Sequence, residues 1–219
     1  ASPHVAGAAA LITSVHNAWT ASHLASTIEM TSPQELANDE NGQPATTEQA
    51  GAGRPQLDLA VNAGLFLDVT GSQFLAANPG SGGDPKALNL SGLVDSECKG
   101  SCSFRRTVTD LMGGGSWTAT PVGFPEGTQV AITPASFDLG SGASRNLDVM
   151  VDVHGSGVVG DWVSGKVRLS ASGSPDLYLT ISVYSYGGNL PEKWSITTDR
   201  DGGWTEFGLT NLVELPNAT

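Results

Sequence analysis

The sequence predicts a mainly β chain, an antiparallel sandwich preceded by a short helical segment, and three observations carry that reading. Apolar and polar residues alternate with period two over long stretches: Leu147, Val149, Val151 and Val153, then Val167, Leu169 and Ala171, then Leu177, Leu179, Ile181 and Val183. One apolar face per strand is the pattern of strands packed on one side. The composition, with 28 Gly and 12 Pro but only 15% charged residues, is that of a turn-rich β protein and not of a disordered one. The first thirty residues depart from this pattern, being rich in alanine with apolar residues at helical spacing.

At 219 residues the chain can bury one substantial core or two smaller ones. Lys plus Arg number 10 against 22 for Asp plus Glu, a net charge of -12. That balance disfavours nucleic acid and anionic membrane surfaces as partners. No apolar run approaches the ~20 residues needed for a membrane span.

The N-terminal helix is expected to begin at Ser2 and Pro3, since serine can cap and proline at the first helical position loses no useful donor. It runs through alanines to Leu11, Ile12 and Val15, with Gly7 inside it. Glycine there costs about 1 kcal/mol relative to alanine, so another backbone is expected to approach closely. Thr20 can cap a second helix, Ala21 to Met30, whose Leu24 and Ile28 fall four apart on one face. The apolar residues of the two helices represent burial on the order of 10 kcal/mol, and helices this short are marginal alone. They are expected to dock on the β module or on a second copy of the chain. His16 and His23 lie seven apart on different helices, too poor an arrangement to suggest a metal pair.

Four units follow: a helical segment over 1–68, a Gly/Ser-rich linker over 69–86, a β module over 87–187 and a tail over 188–219. Candidate strands at Ala87 to Val94, Ser103 to Asp110, Ser116 to Val122 and Thr128 to Thr133 join the three alternating runs. About seven strands is the number an immunoglobulin-like or fibronectin type III-like sandwich requires. Trp117 and Trp162 are expected in its core, and Arg105 and Arg106 on opposite faces of one strand.

Cys98 and Cys102 enclose three residues, and two thiols are too few ligands for a structural zinc site. A local disulfide, removing roughly 2 kcal/mol of unfolded-chain entropy, points to an oxidising compartment; two reduced thiols are the alternative. In the tail, Trp194 to Thr198 and Trp204 to Phe207 flank Asp199-Arg200-Asp201-Gly202-Gly203, a hairpin with a glycine turn. Asp-x-Asp-Gly opens an oxygen-rich loop, but no third carboxylate or closing glutamate follows at calcium-loop spacing. No metal or other cofactor is expected. Asn89-Leu90-Ser91 and Asn217-Ala218-Thr219 match the glycosylation pattern, which arises often by chance.

The stretch Ala1-Ser2-Pro3-His4-Val5-Ala6-Gly7-Ala8-Ala9-Ala10 resembles the end of the nucleophile motif of subtilisin-like serine peptidases, G-T-S-M-A-S-P-H-V-A-G-x-A-A, after its methionine. Two further stretches are similar to family patterns in family order: Ser14 to Thr20 with Leu24, Ser26 and Ile28, and Gly51-Ala52-Gly53-Arg54 leading into Leu57 to Leu65. Beyond them, Arg106-Thr107-Val108-Thr109-Asp110, Gly115-Ser116-Trp117-Thr118, Pro125 to Val130 and Gly160 to Gly165 resemble the fibronectin type III-like domain that follows the peptidase domain in many secreted subtilases. Aspartate at 110 replaces the usual asparagine, and Asn17 and Ser22 stand where the family has prolines.

The resemblance implies the C-terminal part of a secreted subtilisin-like endopeptidase, acting on protein or peptide substrates. Its nucleophilic serine would lie two residues before Ala1, with the base, its orienting acid and the oxyanion-hole asparagine further upstream. Ser2, Pro3, His4 and Gly7 would flank the site without acting in the chemistry, and this chain alone is expected to be inactive. The competing expectation, from a different class, is a secreted adhesion or binding module with an immunoglobulin-like fold.

Overall fold

The computed structural model describes residues 2–32, 38–43 and 45–186. The predicted tail hairpin, its acidic loop and Asn217 lie outside the described residues. Among the described residues, five α-helices and nine strands follow one another: α1 (Ser2–Val15), α2 (Ala21–Met30), α3 (Thr47–Ala50), α4 (Leu57–Ala60), β1 (Leu65–Leu67), α5 (Gly71–Ala76), β2 (Gly92–Lys99), β3 (Ser101–Asp110), β4 (Gly114–Val122), β5 (Gln129–Thr133), β6 (Ser136–Gly140), β7 (Ser144–Asp152), β8 (Trp162–Ser170) and β9 (Leu177–Tyr186). The chain is mainly β, as its sequence predicts.

The strands form two sheets, ordered β1-β3-β7-β5 and β2-β9-β8-β4-β6. Among the described strands all pairings are antiparallel but one. β2 runs parallel to β9, from Gly92 opposite Thr180 to Lys99 opposite Tyr186, with a register shift between Asp95 and Cys98. The facing sides enclose one core, in which Leu147, Val149 and Val151 of β7 meet Leu177, Leu179, Ile181 and Val183 of β9 and Val163, Val167 and Leu169 of β8. Their alternation is the one read from the sequence, because each inward residue of a pleated strand is followed by an outward one.

Trp117 is buried at 1% exposure. Trp162 is not a core residue: Val163, Gly165, Val167 and Leu169 of β8 point inward, so Trp162 stands on the outer face, edge-on to Tyr184. Gly165 has a packing reason to be glycine, since a Cβ there would lie 2.6 Å from the Phe124 ring.

The strand expected from Ala87 starts later, at Gly92. Pro85–Ala87 is instead a 3-10 turn whose start is capped by Asp84, which accepts the Lys86 amide at 2.9 Å. Two short strands went unpredicted. β6 pairs with β4, and β1, which lies within the 1–68 segment, pairs with β3 from Leu65 opposite Asp110 to Leu67 opposite Val108. Three residues are too few for a period to register.

Cys98 and Cys102 form a disulfide across the β2–β3 turn, with Cα atoms 5.4 Å apart. Gly100 stands at the tip with φ of 81°, a left-handed conformation favoured by glycine.

Candidate functional site

α2 occupies the span read from the sequence, and its cap explains why. The Thr20 amide and hydroxyl both approach Nδ1 of His23, at 3.2 and 2.7 Å. Because the amide must donate, Nδ1 accepts and the ring proton sits on Nε2. His23 then stacks on Phe66 of β1 at 3.8 Å, while Trp19 lies between His23 at 6.0 Å and His16 at 3.9 Å. His16 bonds through Nε2 to the Val61 carbonyl at 2.8 Å. Both histidines are therefore parts of an aromatic column that ties the helices to β1. Burial pushes His23 below its ordinary pKa, against the opposing pull of Asp68.

Two further bonds bind α2 to the sandwich: Ser26 Oγ accepts the Leu67 amide at 3.2 Å, and Ser91 Oγ donates to Glu29 at 2.5 Å. Met30 at the end of α2 enters the main core.

α1 is placed differently. Ala8 and Ile12 pack with Ile28 and Ala60 in a small satellite cluster, joined by Trp19, Leu24 and Leu57. Its other apolar residues face out: Val5 is 44% exposed, Leu11 62% and Val15 65%. Leu11 and Val15 were expected to bury with Ile12, but the contacts α1 makes with α2 and α4 cover only one narrow side.

Ser2, Pro3, His4 and Gly7 are all exposed on the same helix. Nothing lies within 4 Å of a Cβ built on Gly7. Among the described residues no basic group is hydrogen-bonded to Ser2. Among the described residues no cluster of His, Cys, Asp and Glu suits a metal ion.

Two residues that sequence reasoning passed over organise the sandwich. Arg106 is 1% exposed, and its guanidinium donates to four carbonyls: Leu90 at 2.6 Å, Lys86 at 3.0 Å, Gly92 at 2.9 Å and Arg105 at 2.9 Å. It pins the segment before β2 onto β3, and desolvation lowers its pKa to about 10. Arg105, on the opposite face, pairs with exposed Asp148 at 2.6 Å. Asp110, four residues on and equally buried, accepts the amides of Gly113, Gly114 and Gly142, each at 3.0 Å, and that of Met112 at 3.3 Å. The signal was present: Arg106 and Asp110 share the inward parity of Phe104 and Val108, and a charge at an inward strand position demands partners.

Asn89 is likewise engaged. Its amide nitrogen donates to the Asp68 and Thr107 carbonyls at 3.0 and 2.8 Å, and its oxygen accepts the Thr107 amide at 2.8 Å. Nδ2 would have to leave these contacts to carry a glycan.

Comparison with known proteins points to the same family as the sequence patterns do. No family model matches the chain. It is 32% identical over 96 residues to subtilisin-like protease SBT1.6 of Arabidopsis thaliana, a match covering 41% of this chain and 13% of that protein. From the same plant, subtilisin-like protease SBT1.7 is 26% identical, covering 61% and 21%, and SBT2.3 is 27% identical, covering 70% and 22%. The chain is subtilase-related. It spans under a quarter of the length of these relatives. Among solved structures, the secreted serine protease VesC of Vibrio cholerae shares 16% identity over 45% of this chain and 22% of its own, with a TM-score of 0.34, too slight a likeness to bear on the fold. Within this subtilase-related chain, α1 carries the motif and the sandwich carries the core. No described helix is long and apolar enough to cross a membrane.

Proposed function

We propose that this chain is the C-terminal portion of a secreted subtilisin-like serine endopeptidase, comprising the segment after the nucleophile and a fibronectin type III-like accessory domain. The single observation that carries the reading is that the motif stretch forms one continuous helix that leaves Val5, Leu11 and Val15 exposed beside its narrow buried stripe. In the parent enzyme that face, Val5, Leu11 and Val15, lies against the α/β peptidase core, and the serine stands just ahead of the first turn of α1. There the backbone amides of a helix start favour developing negative charge. Ser2, Pro3, His4 and Gly7 shape that start; the proton transfers belong to residues outside this chain.

The sandwich contributes rigidity instead of chemistry. Through α2 and β1 it holds the satellite cluster against which α1 rests, so the accessory domain supports the element that presents the nucleophile. The disulfide at the β2–β3 turn supports an oxidising, extracellular location, and the relatives support protein substrates.

The reading is tested by recovering the coding sequence upstream of Ala1 and labelling the encoded protein with a fluorophosphonate probe. Expected are Gly-Thr-Ser-Met before Ala1, labelling of the whole protein, loss of label when that serine becomes alanine, and none on the 219-residue chain. A degenerate motif, or label on the isolated chain, would overturn it; the degenerate motif would favour the adhesion module.

A further inference from the structure

The two histidines of the aromatic column respond to acid in opposite ways. His16 continues the last turn of α1, its amide bonded to the Ile12 carbonyl at 2.9 Å, and its Nε2 lies 2.8 Å from the Val61 carbonyl. A carbonyl only accepts, so Nε2 carries a proton, and a second proton on Nδ1 leaves that bond intact. At His23 the polarity is reversed. Nδ1 accepts the Thr20 amide at 3.2 Å, so the proton that charges the ring must go to the atom already in use. The Thr20 hydroxyl, 2.7 Å away, can turn to accept from it; the amide cannot. One N–H then faces another, and the positive ring sits in the first turn of α2, where unsatisfied amides disfavour a cation. Asp68, just past β1, is the charged group that opposes this, and His16, across Trp19, is the other titratable ring of the column.

His23 is linked to α1 by contact. Trp19 lies between the rings of His23 and His16, and it packs on the cluster of Ala8, Ile12, Ile28 and Ala60. Ala8 and Ile12 are the buried residues of α1. Loosening the Thr20 end of α2 therefore loosens the surface on which both of them rest.

We propose that His23 is a positioning residue that makes the placement of α1 sensitive to acid: the neutral ring holds the helix, and protonation releases it. Where α1 presents a nucleophile, which is the reading above and the one on which this step rests, the result is a peptidase regulated by a residue outside its catalytic set. The catalytic base titrates on its own, and His23 adds a second proton to the same acid limb. Burial keeps the His23 ring below its ordinary pKa against the pull of Asp68. The hold is therefore complete above about pH 6.5 and is lost as pH falls through the lower folded value.

The first test needs only the 219-residue chain. Hydrogen exchange at the Ala8 and Ile12 amides is followed across the His23 titration and corrected for the intrinsic pH dependence of exchange. Protection should fall several-fold on acidification, with a midpoint matching the His23 ring resonances in NMR. In His23→Gln, whose side-chain oxygen can accept the Thr20 amide at any pH, it should stay constant. Constant protection in the wild type, a midpoint matching His16, or a fall that persists in His23→Gln would each overturn the proposal, whatever the parent enzyme does. In the whole peptidase, the acid limb of kcat/KM should be steeper than one proton allows, and His23→Gln should restore the single-proton slope. A single-proton limb in both, in a protein that takes the fluorophosphonate label, overturns the regulation and spares the reading beneath it; a protein that takes no label overturns that reading and leaves the exchange result to decide the role of His23.

Discussion

α1 and β9 are both apolar segments, yet the fold uses them in opposite ways. β9 buries Leu177, Leu179, Ile181 and Val183 completely between two sheets, and even its outward Thr180 and Ser182 are covered by the helical segment. α1, which carries no Asp, Glu, Lys or Arg along its length, buries only Ala8 and Ile12. The sandwich is a closed structure whose inward surface is matched by its own residues. The first helix is an open one, held along one edge. Under the proposed function this difference separates the part of the molecule that stabilises from the part that meets the peptidase core.

The comparison can be broken most forcefully at Arg106. Replacing it with alanine strands four carbonyls that its guanidinium now satisfies, and should cost about 3–5 kcal/mol in urea unfolding. A loss below 1 kcal/mol would mean that the segment before β2 does not depend on this residue. Asp110→Ala should cost about 2–4 kcal/mol by releasing the turn after β3 and the Gly142 amide; Asp110→Asn, the residue usual in the resembling family, should recover most of it.

Within α1 the test is a pair of neighbours. Ile12→Ala should destabilise the satellite cluster by about 2–4 kcal/mol, whereas Leu11→Ala should leave the chain within about 0.5 kcal/mol of wild type. In the whole peptidase of the proposed function, the same Leu11→Ala change should become destabilising. If Leu11 and Ile12 behave alike in the isolated chain, α1 is not one-sided.

A smaller effect comes from pH. His23 has a folded pKa below its unfolded value of about 6.5, so the unfolded chain binds the proton more readily. Its contribution is complete above about pH 6.5 and is lost as pH falls through the lowered folded value. Protonation must also displace the Thr20 amide from Nδ1. Hydrogen exchange at the start of α2 should therefore quicken on acidification, and His23→Gln should flatten that dependence. The smallest effect is expected at the exposed Arg105–Asp148 pair, where Arg105→Ala should leave the urea midpoint unchanged within error.

Much of this was readable before any coordinates. Thr20 as a cap and Ala21–Met30 as a helix follow from local chemistry confined to ten residues. The Cys98–Cys102 bridge follows from spacing, and strands β7, β8 and β9 from alternating runs of five to seven residues. Short elements were not readable: β1 and β6 owe their strand conformation to the partners they pair with. The parity of Val167 and Leu169, carried back along β8, already puts Trp162 outward; its aromatic bulk, not the alternation, was the ground for expecting it in the core.

By itself, then, the sequence determined the β character, the paired cysteines, the second helix and the relation to subtilases, because each is written within a short window. The tertiary structure decided the parallel β2–β9 pairing, the joining of β1 to the sandwich and the burial of Arg106 and Asp110. It also left α1 uncovered. These depend on which distant segments meet, and a charge inside a sheet or an apolar face in water acquires its meaning only from what lies opposite it.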